Sequence, residues 1–190
     1  MAKKRAVSRN QSERMTRAER IDLARIRDMH PLLPPDMAES MVTQAALGLQ
    51  RNHHSPGVEL HMAIESEPLR CALTWPAADL GTLEQYDSRR ITEDGAEAIA
   101  LAVAHKTRAW RVIRRMQPGN YADWLLEHRD SGVKKLVAFE VGGTDHGSIE
   151  KCLGAELAQV AKSIDVDQRW AGVVGFRRPE AALRSVEADS

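Results

Sequence analysis

Apolar residues change their spacing several times along this chain, and each change marks an element. After Pro35, which suits a first helical position, Met37, Met41, Val42, Ala45 and Leu49 recur at helical intervals. Asn52-His53-His54-Ser55-Pro56-Gly57 ends that helix. The period then drops to two. Val58, Leu60, Met62 and Ile64 alternate with Glu59, His61 and Ala63; beyond a turn at Ser66-Glu67-Pro68, Leu69, Cys71, Leu73 and Trp75 alternate with Arg70, Ala72 and Thr74. Two such runs predict a hairpin with one apolar face. Residues 77–91 read as a polar connection. Thr92 is the expected cap of a second, alanine-rich helix, with Glu93 and Asp94 in its first turn and an end near Lys106–Arg108.

Three strands follow: one over Trp110 to Met116, one over Ala122 to Glu127, and one over the continuous apolar run Lys135 to Val141, as in a buried strand. Gly142 to Gly147 reads as a loop. Ser148 starts a helix to about Lys162, with Ile149, Leu153, Leu157 and Val160 inward, and Trp170 to Phe176 is a last strand. Pro179 is expected to open a short terminal helix. Upstream, Thr16 to Met29 reads as a short helix around Ile21 and Ile26, stopped by Pro31, Pro34 and Pro35. From residue 92 the order is helix, strand, strand, strand, helix, strand, which predicts an α/β sandwich.

The second and third of these strands make a hairpin whose register can be estimated. A turn centred between Ser131 and Gly132 places Asp123 opposite Glu140, Leu125 opposite Ala138 and Glu127 opposite Leu136. Opposed side chains share a face about 5 Å apart. Trp124, Leu126, Val137, Phe139 and Val141 then fill the core from the other face. Two facing carboxylates repel, and a divalent cation between them relieves the repulsion. Such an oxygen-ligand site, with room for water, is the kind that hydrolyses phosphodiesters. A one-residue slip would separate the pair. In the competing reading Asp123 merely starts a strand beside solvent and Glu140 pairs with an arginine such as Arg114.

Helix with a glutamate, strand, strand beginning with Asp, strand with Glu near its end, helix, strand: over residues 92–176 this resembles the PD-(D/E)xK nuclease superfamily. The resemblance implies a restriction-endonuclease-like three-layer α/β sandwich with an αβββαβ core. To it the chain adds a basic arm (1–15), N-terminal helices (16–57) and a β-hairpin extension at the start of the unit 58–190. The family's motif Asp falls on Asp123. Its motif acid falls on Glu140, within Phe139-Glu140-Val141-Gly142, and its helix carboxylate on Glu97, with Glu93 the competitor. The resemblance implies that Glu97, Asp123 and Glu140 hold magnesium, with manganese as substitute, and catalyse hydrolysis of nucleic acid.

The chain departs from the pattern in two places. Gly142 stands where the family has the lysine that polarises the attacking water, and Ala122 rather than Pro precedes Asp123. Lys135, Lys151 or Lys162 could supply a migrated amine. The alternative is a catalytically degenerate member that binds nucleic acid or a protein. Gly143, Thr144, His146 and Ser148 lead from a strand into a helix, where free N–H groups attract phosphate, so they are candidate phosphate contacts; the bland reading is a flexible turn.

Composition narrows the rest. Of 190 residues, 43% are hydrophobic, enough for a packed core, and Lys+Arg 27 balances Asp+Glu 27, so no overall field selects nucleic acid. The charge is uneven, however. Residues 1–28 carry nine basic groups against four acidic ones. Arg108, Arg111, Arg114 and Arg115, Lys134-Lys135, and Arg177-Arg178 would form a phosphate-tracking stripe if they converged; singly they are solvated surface. Cys71 and Cys152 cannot make a disulfide scaffold or a four-cysteine zinc site and are expected as buried thiols. His53-His54, His61 and His105 lack a ligand set. With no apolar leader and no membrane-length run, the expectation is a cytoplasmic protein. Nothing in the sequence specifies an oligomeric state.

Overall fold

The computed structural model describes residues 20–117 and 119–186. The basic arm expected over residues 1–15 lies outside them. The elements in chain order are β1 (Arg20–Asp22), α1 (Ile26–Met29), α2 (Pro35–Arg51), β2 (Val58–Ile64), β3 (Glu67–Thr74), α3 (Ser88–Arg108), β4 (Arg111–Arg115), β5 (Trp124–Asp130), β6 (Val133–Thr144), α4 (Ile149–Val160), β7 (Gln168–Gly175) and β8 (Glu180–Ser185). The strands form one mixed sheet in the order β1-β3-β2-β8-β7-β6-β5-β4. This is an α/β fold, as the alternation of periods predicts.

The connections explain the order. β4, β5 and β6 follow one another in the chain and pair antiparallel, whereas α4 carries the chain across so that β7 lies parallel to β6. The hairpin register falls where the sequence places it: Leu125 faces Ala138 and Glu127 faces Leu136. Alternation then divides β6 between two layers. Val137, Phe139 and Val141 join Trp124, Leu126 and the alanine stretch of α3 in the larger core, while Ala138 joins Leu153, Val160, Ala171 and Val173 beneath α4. Small residues let α3 lie close on both sides. A Cβ on Gly95 would come within 2.9 Å of the Ala45 backbone nitrogen, so α2 and α3 are nearly in backbone contact there.

His30 closes one end of this core. It is fully buried, donates from Nε2 to the Leu101 carbonyl at 3.1 Å, and accepts the Val112 N–H at Nδ1, also at 3.1 Å. Both ring nitrogens are used by the neutral ring, and burial pushes its pKa down to about 4.

Several expectations are corrected. Thr16–Met29 is not one helix: from residue 20 it is strand β1, a 3-10 turn over Leu23–Arg25 and the single turn α1. Ile21 is buried as β1 pairs in parallel with β3, so edge pairing outweighs local helix propensity. The β2–β3 hairpin is no appendage. β2 pairs with β8 and joins the common sheet. Pro68 sits inside β3, opposite Ala63. Asp87, not Thr92, caps α3, accepting the N–H groups of Arg89 and Arg90; Thr92 lies inside the helix.

Gly142 and Gly143 are strand rather than loop, paired with Val173 and Val174 of β7. The segment after Pro179 is strand β8 rather than helix. Ala181, Ala182 and Leu183 fill a buried slot between β7 and β2, and two neighbours to bond outweigh the helix preference of alanine. Among the described residues no helix is long and apolar enough to cross a membrane.

Candidate active site

The start of β5 positions the first carboxylate. Asp123 precedes the ladder residue Trp124, and its own carbonyl accepts the Met116 N–H at 2.7 Å while its Oδ2 accepts the Val141 N–H at 2.9 Å. The side chain is thereby tied to β6 one residue beyond Glu140. Glu140 is 5% exposed and points to the α4 side, where Gln159 Nε2 donates to its Oε1. Its other oxygen, Oε2, is buried without a hydrogen-bond partner. The pairing with Arg114 is not what satisfies Glu140; Gln159 is.

Asp123 and Glu140 line one cleft of about 460 Å3 together with Arg115, Met116, Gln117, Gly119, Tyr121, Ala122 and Gln159. Burial pushes the Glu140 carboxyl up to about 8, and the negative charges of Asp123 and Glu156 add to this. Burial also raises Asp123, opposed by the Val141 N–H and by the Arg115 guanidinium. The negative charge of Asp123 thus raises the Glu140 carboxyl, as a neighbouring carboxylate should.

Glu97 comes from α3, on the opposite layer. It does not line the cleft. It is 4% exposed, and Arg115 Nη2 donates to its Oε1 at 2.7 Å, while Oε2 is buried without a partner. Its carboxyl stands at about 8, raised chiefly by burial, with Arg115 pulling down and Asp123 and Asp94 pushing up. Of the three candidates, Asp123 and Glu140 share the cleft, whereas Glu97 lies outside it, paired with Arg115.

The place of the missing lysine is filled. A Cβ on Gly142 would lie 2.6 Å from Oε1 of Glu156, which reaches in from α4. Burial raises the Glu156 carboxyl, with Asp123 and Glu93 contributing. Of the migrated-lysine candidates, Lys135 lies 3.5 Å from Asp167 Oδ1, and Lys151 is exposed at the start of α4. Lys162 Nζ stands 5.6 Å from the ring centre of Tyr121, which lines the cleft, but Lys162 itself does not line it.

Sequence reasoning missed Glu156, Gln159 and the role of Arg115. One local signal existed for the first: glycine inside a strand marks close approach of another group.

The loop residues fall elsewhere. Thr144, His146 and Ser148 line a separate cavity of about 830 Å3 at the ends of β6 and β7, with Arg177 and Arg178; it shares no lining residue with the Asp123–Glu140 cleft. Gly143 is strand. The Thr144 hydroxyl accepts the Gly147 N–H at 2.6 Å, and Ser148 caps α4 by accepting from Lys151. Asp145 is held by Arg51, Asn52 and Thr92.

The histidines singled out in the sequence contact neighbouring groups. His54 bonds the Phe176 carbonyl, His61 contacts Glu59, and His105 bonds the Trp110 carbonyl. Cys71 is buried and Cys152 half-buried. Among the described residues no three His, Cys, Asp or Glu side chains are placed to hold a metal ion together. Two carboxylates suffice for magnesium, which keeps several of its own waters.

No protein-family model, characterised protein or solved structure matches this chain.

Proposed function

We propose that this chain is a divergent PD-(D/E)xK-like nuclease that hydrolyses nucleic-acid phosphodiesters with magnesium held by Asp123 and Glu140. The observation that carries the reading is the shared cleft. Two carboxylates from adjacent strands line it, one of them with a buried oxygen, Glu140 Oε2, that lacks any partner. Buried polar atoms are rarely left so, and hard carboxylate oxygens lining a cleft suit a hard cation. The order from α3 to β7 also follows the helix, three strands, helix, strand of the resemblance.

Magnesium bound there would stabilise charge on the phosphoryl oxygens and lower the pKa of the attacking water. The protein's own contribution is positional. The Val141 N–H fixes Asp123, Gln159 fixes Glu140, and the Glu140 carboxyl must release its proton before its oxygens can serve a cation.

Incubation of the full chain with single- and double-stranded DNA and RNA tests this. The expected result is cleavage with magnesium or manganese, none with a chelator, and a loss of at least ~100-fold in Asp123→Asn or Glu140→Gln. Because Gly142 replaces the lysine and Glu156 crowds its place, a second reading stands beside it: a catalytically degenerate protein of the same fold that binds nucleic acid or a protein partner. Retention of nucleic acid without cleavage would favour that second reading.

A further inference from the structure

We infer that the uncovered face of β4, β5 and β6 is a basic track that holds the phosphate backbone of a nucleic acid and leads it to the Asp123–Glu140 cleft. The inference rests on the nuclease reading above and names the surface that seats the substrate; its test reads binding apart from hydrolysis. Register sets the face. Arg111 lies opposite Glu127, which lies opposite Leu136; Arg114 lies opposite Leu125, which lies opposite Ala138. Opposed residues share a face, and Ala138 packs with Leu153 and Val160 of α4, so both rows are on the α4 side of the sheet. Arg129 and Lys134 form the next row there, and Lys134 Nζ reaches Glu127 Oε2 at 2.6 Å. At the other end, Asp123 stands two residues before Leu125 and Glu140 two residues after Ala138, the spacing that keeps a side chain on one face. α4 itself packs on β6, β7 and β8 rather than on β4 or β5.

A β-bulge puts the two arginines of β4 on that face together. On a regular strand, residues three apart point to opposite faces. Here the register shifts between Val112 and Arg114, with Ile113 the extra residue. Arg111 and Arg114 therefore share the α4 side, while Val112 enters the core and Arg115 turns to Glu97 and the Trp124 ring. Bulges commonly re-aim a side chain in this way beside active sites.

The charge on this face has one sign. Arg111, Arg114 and Arg129 are exposed and have no ion-pair partner among the described residues, and the one acid in the rows, Glu127, is taken by Lys134. Of the basic runs in the sequence, the face collects Arg111, Arg114 and Lys134. Arg115 and Lys135 belong to the other side of the sheet, and Arg177 and Arg178 line the separate cavity. Successive rows lie about 7 Å apart along the strands, so the cations form a line. A small anion would meet one row. A polyanion with evenly spaced charges meets all of them, and each guanidinium can take two phosphate oxygens at once. Half-buried Leu125 and Leu136 form the floor between the cations.

The test measures binding of short labelled single- and double-stranded oligonucleotides by fluorescence anisotropy, in chelator and at stepped salt. It compares the full wild-type chain with Arg111→Gln/Arg114→Gln and with Arg177→Gln/Arg178→Gln. All four side chains are exposed, and circular dichroism confirms the fold. The expected result is binding by wild type and by the Arg177/Arg178 variant. In the Arg111/Arg114 variant the Kd should rise ~10-fold or more, and the slope of log K against log salt should be shallower by about 1.4–1.8. Unchanged binding by the Arg111/Arg114 variant, or an equal loss in the Arg177/Arg178 variant, overturns the track. Magnesium is then added. Cleavage by wild type alongside either of those results leaves the nuclease reading standing without the track. Binding that depends on Arg111 and Arg114 but ends in no cleavage keeps the track and overturns hydrolysis. Wild type that fails to bind overturns the track, and both readings fall if it also fails to cleave.

Discussion

Asp123 Oδ2 accepts the Val141 N–H at 2.9 Å, so the carboxylate that opens β5 is tied to the residue that follows Glu140. The bond does for the site what the ladder does for the strands: it sets register at a position the ladder does not reach. Asp123→Asn keeps an oxygen acceptor and loses the charge. Asp123→Ala leaves the Val141 N–H with no partner, a loss of about 1–3 kcal/mol. Urea denaturation is expected to rank Asn above Ala in stability, while neither variant is stabilised by magnesium.

The carboxyls of Glu97 and Glu140 stand at about 8, both raised chiefly by burial from an ordinary value of 4.5. The folded state therefore holds their protons more tightly than the unfolded chain. That contribution is complete below about pH 4.5 and is lost as pH rises to about 8. Stability in chelator should fall by a few kcal/mol from pH 5 to pH 8.5. Glu97→Gln and Glu140→Gln should each flatten that decline, which melting curves at stepped pH would show.

His30 acts with the opposite sign. Burial lowers it from 6.5 to about 4, so its contribution is present above about pH 6.5 and disappears as pH falls through 4. His30→Ala leaves Leu101 O and Val112 N–H unpaired in the core and opens a cavity, costing about 2–5 kcal/mol at pH 7. The difference between variant and wild type should shrink below pH 5; a constant difference would contradict the neutral ring.

Two glycines separate close approach from open space. A Cβ on Gly143 would meet the Thr92 carbonyl and stand 2.9 Å from Ala96 Cβ, so Gly143→Ala should cost at least about 1–3 kcal/mol. Gly154, inside α4, has nothing within 4 Å of the same atom, and Gly154→Ala should gain about 0.5–1 kcal/mol. Paired chemical denaturation curves measure both.

Much of this architecture was written locally. The turn at Ser131-Gly132 set the β5–β6 register, with Trp124 opposite Phe139 and Leu126 opposite Val137, and Asp123 and Glu140 line one cleft beside it. Pro35 marked the start of α2. What failed was decided at a distance. The run from Glu180 has helical composition but lies between two strands that need a partner. Gly142-Gly143 has the composition of a turn, yet the glycines serve the approach of Glu156 on one face and α3 on the other. Glu156 and Gln159 are absent from the inward set of Ile149, Leu153, Leu157 and Val160 that periodicity gives α4, so they fall on another of its faces. Only the crossover from β6 to β7 brings that face over Glu140. Arg115 read as one member of a basic run because its partner, Glu97, is 18 residues away.

Calorimetric titration of the full chain with magnesium, and with manganese in parallel, addresses the cleft most directly. Wild type should bind at least one ion, and both Asp123→Asn and Glu140→Gln, while still folded, should lose that binding. An absence of heat with wild type, or equal binding by the two variants, would contradict a cation site at Asp123 and Glu140.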